Sequence, residues 1–250
     1  MQRVEDWRPT KFEHDADGVR GSRDPDELAA GSRLTADLVC AFYSSAIPRH
    51  ASGALVDLGC GKAPLYGFYR RHVDQVTLVD WAQSLHANPH LDVVQDLNEP
   101  LQLPAAGFDT VLLSDVLEHI RLPGDLLAEI ARILRPGGRL LMNVPFLYGL
   151  HEQPHDYYRY TRFALEYLVA NAGLDVVEMH ALGGYPEVVA DLTSKVAGRV
   201  PRVGPRLASG VHRSARGLLR RGYGRRLSDR TREQWPLGYA LVAVKPGPPQ

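Results

Sequence analysis

Sulfur is scarce in this chain: two cysteines, Cys40 and Cys60, and three methionines among 250 residues. That pair matches neither a disulfide framework nor a cysteine-built zinc site, so the fold must rest on a packed core, and a reducing, cytoplasmic compartment is expected. Long apolar runs are missing too. The N-terminus MQRVEDWRPTKFEHDADGVRG has no apolar stretch behind its charges, and no window reaches the about 18 apolar residues of a bilayer span, which argues against secretion and membrane spanning. Net charge is also absent, 29 basic side chains balancing 29 acidic ones. A content of 44% apolar and 23% charged residues suits one compact domain with at most one elaboration.

The zero sum hides a division. Residues 1–194 carry 16 basic and 27 acidic side chains, whereas residues 195–232 carry 12 basic ones and the single acid Asp229. The chain is an acidic body bearing one cationic segment, which any anionic partner should meet first.

Residues 1–24 are polar, Asp-rich and without apolar periodicity, and read as a flexible N-terminal arm. Leu28, Leu34, Leu38 and Phe42 recur near helical spacing and predict a helix over about 25–46. Seven short apolar runs follow at 54–59, 75–80, 91–96, 108–115, 138–146, 174–180 and 237–245. Helical stretches at about 64–71, 123–134 (stopped by Pro136-Gly137-Gly138) and 161–172 (capped by Gly173) separate several of them. Strands joined by helix-length connections imply an α/β class built on a mostly parallel sheet. The core should run over 25–180 and close with a final strand and tail at 237–250. Residues 181–236 are too many for an ordinary connection and read as a basic, partly amphipathic helical insertion. At about 100° per residue, Leu207, Val211, Ala215, Leu218 and Leu219 share one side of a helix and Arg206, Arg213, Arg216 and Arg220 the other.

The stretch VDLGCGKAP (56–64) carries the most chemical information: a strand through Asp57 and Leu58 runs into Gly59, Cys60 and Gly61, where missing side chains let backbone amides approach a ligand. About 20 residues on, Asp80 closes the next strand, where a carboxylate can accept from both hydroxyls of a ribose. The next run ends QDLNEPL, placing Asp96 where it could accept from an adenine amino group. Three successive strand ends therefore offer groups for a nucleoside.

Glycine loop, acid, acid, then FDTVLLSDVLEHI and LRPGGRLLMNVPF: this succession resembles the class I S-adenosylmethionine-dependent methyltransferases over about residues 50–180, and again at the last strand. The resemblance implies a Rossmann-like seven-stranded sheet with the last strand antiparallel, helices on both faces, and the cofactor across the carboxyl ends of the first strands. It also implies that the 57–61 loop holds the methionine moiety and Asp80 the ribose, with Trp81 beside the adenine, Asp96 and Leu97 against it, and Ser114 near the sulfonium. The usual third glycine is Ala63.

Acceptor-side residues should come from HEQPHDYYRYT (151–161), which resembles a segment of bacterial "type 11" methyltransferases, many of them associated with glycan or lipid-linked saccharide modification. His155, and less directly His151 or Tyr158, are candidates for removing a hydroxyl proton, against the plainer reading that His155 and Arg159 tie the loop down. In SDVLEHI, Asp115, Glu118 and His119 share one face if the segment is helical. They resemble the magnesium site of ubiquinone-pathway O-methyltransferases, with His155 or His151 as a further ligand, so Mg2+ is a second expected cofactor. The expected activity is O-methylation of a sugar hydroxyl. The alternatives are a small phenolic, quinone or lipid metabolite as acceptor, or a membrane-associated S-adenosylmethionine-binding module without catalysis. For residues 195–232 an anionic membrane surface, reached peripherally from the cytoplasm, or a substrate phosphate is the expected partner. Nucleic acid is disfavoured because Tyr223 is the segment's only aromatic residue. The oligomeric state stays open.

Overall fold

A computed structural model describes residues 1–15, 18–83 and 88–247. A hairpin of β1 (Phe12–Asp15) and β2 (Gly18–Gly21) precedes β3 (Ala54–Leu58), β4 (Gln75–Asp80), β5 (Val93–Val94), β6 (Phe108–Ser114), β7 (Leu134–Pro145), β8 (Asp175–Leu182) and β9 (Gly238–Val244). The last seven form one sheet in the order β5-β4-β3-β6-β7-β9-β8, in which β9 alone runs antiparallel to its neighbours. This is the Rossmann-like architecture that the resemblance implies.

Side-chain alternation explains why the runs read as continuously apolar. Val56, Leu58, Val111 and Leu113 pack on one face with Leu127 and Ile130 of α3 (Pro123–Ile133) and Val169 of α4 (Arg162–Asn171). Leu55, Leu78, Leu112 and Val242 pack on the other with Tyr43 and Ile47 of α1 (Arg33–His50) and with α2 (Tyr66–Tyr69). A sheet covered on both faces must be apolar on both. Cys40 and Cys60 are buried free thiols within the second layer.

Several boundaries differ from the sequence expectation. α1 starts at Arg33 rather than near 25, after a 3-10 turn at Ala30–Ser32, and the backbone at Gly31 passes against Lys195, whose Cα would lie 3.2 Å from a Cβ there. β5 is only two residues long, an edge strand with Val94 exposed. The Pro136-Gly137-Gly138 stop belongs to β7, where a register shift against β6 absorbs it.

The N-terminal segment, expected as a flexible arm, packs on the core through Trp7 and Phe12. Trp7 and Phe12 are buried in the second core layer, the Trp7 indole donates to the Ala63 carbonyl at 3.1 Å, and the Met1 ammonium pairs with Asp92 at 2.7 Å. Two large aromatic rings supply the apolar area that outweighs the arm's polar composition. Trp7→Ala is therefore expected to lower the unfolding free energy by about 3–5 kcal/mol, read as a lower urea midpoint at unchanged slope.

Residues 181–236 hold α5 (Tyr185–Gly198), α6 (Gly204–Arg220) and α7 (Gly222–Thr231). The buried positions of α6 are Gly204, Ala208, His212 and Ala215, while Leu207 and Leu218 are exposed. Thus α6 lies against α5 through small side chains, and the expected leucine stripe is rotated off the contact. His212 Nε2 meets Ser194 Oγ at 2.9 Å, and Arg216 pairs with Asp37 of α1. Among the described residues no helix is long and apolar enough to cross a membrane.

Candidate active site

A cleft of about 450 Å3 opens at the carboxyl ends of β3, β4 and β6, where a parallel sheet splays its strand ends apart. Asp57, Gly59, Cys60, Gly61, Asp80, Trp81, Asp96, Leu97 and Ser114 all line it, as the resemblance implies. Leu58 does not: its side chain points under the sheet into the first core layer.

The loop after β3 is held by its neighbours. The Gly59 and Cys60 amides donate to the Val79 carbonyl, and Gly61 N–H donates to Asp80 Oδ2 at 2.7 Å while Trp81 N–H donates to Oδ1 at 2.8 Å. Two backbone amides thus aim the Asp80 carboxylate. Gly59 has φ +67°, and a Cβ there would fall 2.6 Å from Val116 Cγ2, so a side chain would fill the cradle under the cleft. The site fits an adenosyl sulfonium: a glycine-walled loop for the methionine end, an oriented acid at the next strand end, and a third acid, Asp96, whose Oδ1 is steadied by Asn98. Asp57 is buried, accepts from the Tyr69 hydroxyl at 3.2 Å, and is pushed up to about 7 by burial and by the charge of Asp80, against that hydrogen bond.

The opposite wall contains groups that sequence reasoning missed. Lys11, delivered by the docked N-terminal segment, pairs with Asp115 Oδ2 at 2.8 Å, and Asn143 of β7 gathers Asp115, Ser114 and Tyr43 through its amide. No motif marks Lys11; the flanking Trp7 and Phe12 were the only hint that this stretch is docked.

The acceptor-side loop divides the expected residues. His155 lines the cleft, its ring edge-on to Trp81 at 5.3 Å and its Nδ1 3.2 Å from the Tyr157 hydroxyl. Tyr158 stands outside the cleft wall and donates to the Arg121 carbonyl at 2.9 Å, a tethering position rather than a proton-handling one. The His151 side chain also lies outside the lining and faces Glu118, with Nε2 3.6 Å from Oε1. Arg159 grips Asp156 through both carboxylate oxygens, and Asp156 in turn accepts from the His151 amide. Burial alone would raise Asp156, but Arg159 and that amide hold it down at about 2.

Of the expected metal ligands, Asp115 stands apart from the others. Asp115, Glu118 and His119 would share a face only on an α-helix, but the chain leaves β6 through Asp115 at φ +54° and makes a short 3-10 turn at Leu117–His119. Asp115 is thereby turned to Lys11 and Asn143. Glu118, His119 and the further candidate His151 come together without it, one ligand atom of each within 4.8 Å of the others.

Comparison with known proteins agrees with this fold. Residues 56–142 match a methyltransferase-domain model. A ubiquinone biosynthesis O-methyltransferase of Xanthomonas axonopodis is 31% identical over 111 residues, 40% of this chain and 46% of that one, so the match spans less than half the relative's length. Among solved structures, an S-adenosylmethionine-dependent methyltransferase of Mesorhizobium loti superposes with TM-score 0.53 at 14% identity, covering 84% of this chain and 99% of the other. The Streptomyces coelicolor geranyl diphosphate C-methyltransferase, in complex with Mg2+, geranyl diphosphate and S-adenosyl-L-homocysteine, superposes with TM-score 0.53 at 14% identity over 89% of this chain and 84% of that one. Sequence motifs, sheet order, cleft and domain match converge: residues 56–142 match a methyltransferase domain, and the fold and relatives support a class I S-adenosylmethionine-dependent methyltransferase.

Proposed function

We propose that the protein transfers a methyl group from S-adenosylmethionine to a hydroxyl of a polar acceptor, a sugar hydroxyl of a glycan or lipid-linked saccharide. The observation that carries this reading is the juxtaposition, in one cleft, of the amide-aimed Asp80 with a polar wall containing Lys11, Asp115, His119 and His155. Bound there, the cofactor supplies an electrophilic methyl on a positively charged sulfur. Asp80 would accept from the ribose hydroxyls and Asp96 from the adenine, while Trp81 flanks the base. The sulfonium would supply the methyl and retain the electron pair of the carbon–sulfur bond as the acceptor oxygen is alkylated, and His155 would take the acceptor's hydroxyl proton. Alignment by these walls supplies much of the rate in such an in-line displacement. The O-methyltransferase relatives named for ubiquinone biosynthesis favour a second reading, a phenolic hydroxyl as acceptor. Incubation with methyl-labelled cofactor and fractionated cell extract, followed by mass identification of the product, tests both. A labelled saccharide supports the first and a labelled phenol the second; cofactor binding without any labelled product would indicate a non-catalytic module.

Asp57 gives the binding step a pH dependence. Near neutral pH its proton is held loosely, and the α-ammonium of the cofactor prefers the ionised carboxylate. Affinity for S-adenosylhomocysteine should thus rise with pH, by about tenfold between about pH 6 and about pH 8. Asp57→Asn should flatten that profile in calorimetry.

The cationic segment supports peripheral attachment to anionic lipid, with a contact face different from the expected one. Tyr185, Val189, Leu192 and Val196 recur at helical spacing and are all exposed on α5, and Val200, Val203 and Leu207 continue the exposed apolar series among Arg199, Arg202 and Arg206. Each basic side chain near such a surface contributes on the order of 1 kcal/mol. Co-sedimentation with phosphatidylglycerol vesicles but not phosphatidylcholine vesicles is expected, and Val196→Asp should weaken it; no binding to either vesicle would remove the attachment.

A further inference from the structure

A row of aromatic rings leads out of the cleft over the acceptor-side loop. Trp81 lines the cleft; from it the ring centroids step 5.3 Å to His155, then 6.4 Å to Tyr157 and 6.3 Å to Tyr158. Neither tyrosine lines the cleft that would hold the cofactor. Tyr157 is 42% exposed and Tyr158 39%, large aromatic areas to leave in water side by side.

These exposed rings are nevertheless fixed in place. The Tyr157 and Tyr158 amides both donate to the Glu118 carbonyl, at 2.9 and 3.3 Å, the Tyr158 hydroxyl donates to the Arg121 carbonyl at 2.9 Å, and the Tyr157 hydroxyl meets His155 Nδ1 at 3.2 Å. The buried Tyr160 ring backs Tyr158 at 5.6 Å and its hydroxyl donates to the Leu117 carbonyl at 2.9 Å. A ring held before its ligand arrives loses little freedom on binding, so the tyrosines form a pre-organised surface. Its border is polar. Arg121 is exposed, with Nε 3.4 Å from Asn98 Oδ1, and Asn98 also lines the cleft that the row leaves.

We propose that Tyr157 and Tyr158 form an outer subsite for a second pyranose ring, so that the acceptor is an oligosaccharide whose methylated unit sits in the cleft and whose neighbouring unit stacks on the tyrosines. This rests on the saccharide reading of the acceptor and narrows it. Size carries the first step. The cleft of about 450 Å3 lies toward the small end of the about 300–1,000 Å3 that encloses one drug-sized ligand, and the cofactor is already such a ligand. Little enclosed space remains beyond the reacting unit, and a hydroxyl presented to His155 directs the rest of the acceptor along the loop that carries it. Chemistry carries the second step. A pyranose has apolar C–H faces and hydroxyls around its edge, which match fixed rings bordered by Arg121 and Asn98. An acyl or polyprenyl chain would cover those polar groups without bonding to them, and a single phenolic ring ends inside the cleft.

The test presents the full chain, saturated with S-adenosylhomocysteine, to an array of bacterial glycans from mono- to hexasaccharides, followed by calorimetry with the strongest-binding glycan and its terminal monosaccharide. The expected result is an oligosaccharide affinity about tenfold or more above that of the monosaccharide, with most of the gain lost in Tyr157→Ala and in Tyr158→Ala. Tyr157→Phe and Tyr158→Phe should keep the gain, because the ring stays when the hydroxyl goes; a role limited to tethering the loop would reverse that pattern. S-adenosylhomocysteine affinity should stay within about twofold in all four variants, since none of them removes a residue of the cleft wall. Equal affinity for monosaccharide and oligosaccharide, or an undiminished gain in folded Tyr157→Ala and Tyr158→Ala, would overturn the subsite and leave the saccharide acceptor standing. An array without any bound glycan would overturn the subsite and the saccharide acceptor together, but not the methyltransferase reading, which the S-adenosylhomocysteine titration measures separately.

Discussion

Asp80→Ala is expected to weaken S-adenosylhomocysteine binding by about hundredfold or more while leaving the sheet intact. Two losses combine. A carboxylate that accepts from both ribose hydroxyls makes two charge-assisted hydrogen bonds, each contributing about 1.5–3 kcal/mol, and about 3 kcal/mol already corresponds to more than hundredfold in affinity. The same carboxylate accepts from Gly61 N–H at 2.7 Å and Trp81 N–H at 2.8 Å, so its removal frees the glycine loop at its tip. Asp80→Asn keeps only one acceptor oxygen and should fall between the two proteins. Calorimetry measures the loss, and an unchanged far-UV circular dichroism spectrum shows that the fold has survived. An Asp80→Ala protein that binds like the unaltered chain would move the ribose to another residue.

His155→Ala should have the complementary effect, lowering turnover by about 10² to 10⁴-fold, the usual contribution of a positioned proton acceptor, while changing S-adenosylhomocysteine affinity by less than about threefold. His155 is set for this part by contact on two sides: its ring stands edge-on to Trp81 and its Nδ1 meets the Tyr157 hydroxyl, which leaves Nε2 for the acceptor's proton. Tyr158→Phe serves as contrast. Its hydroxyl tethers the loop to the Arg121 carbonyl, so loss should reduce activity only modestly. Single-turnover rates and product-analogue affinities, measured in parallel, separate the two. A His155→Ala protein with full turnover and lost cofactor binding would reverse the assignment.

The cofactor side of the site was legible in the sequence because it is built from local features. A strand end, a glycine turn and an acid at the next strand end lie in fixed order along the chain, and sheet pairing places Asp57 beside Leu78 and Asp80 beside Val94. The core was legible for a similar reason, since strands buried on both faces read as apolar runs. Long-range packing was not. Nothing in the composition of residues 1–24 says that Trp7 reaches the second core layer or that Lys11 reaches Asp115 across the fold. The Asp115, Glu118, His119 spacing misled because it presumes an α-helix, whereas the positive φ of Asp115 turns its side chain away and admits His151 from a loop more than thirty residues later. In the insertion, the 3.6-residue period located α6, but the small side chains Ala208 and Ala215, not the leucines, chose the contact face.

The central claim is that the carboxyl edge of the sheet binds an adenosyl thioether in the cleft between the Gly59–Gly61 loop and His155. Isothermal titration of the unaltered protein with S-adenosylhomocysteine at about pH 8 tests it most directly. One site per chain is predicted, with the heat abolished by Asp80→Ala. A folded protein that gives no heat, or the same heat after that substitution, would contradict it.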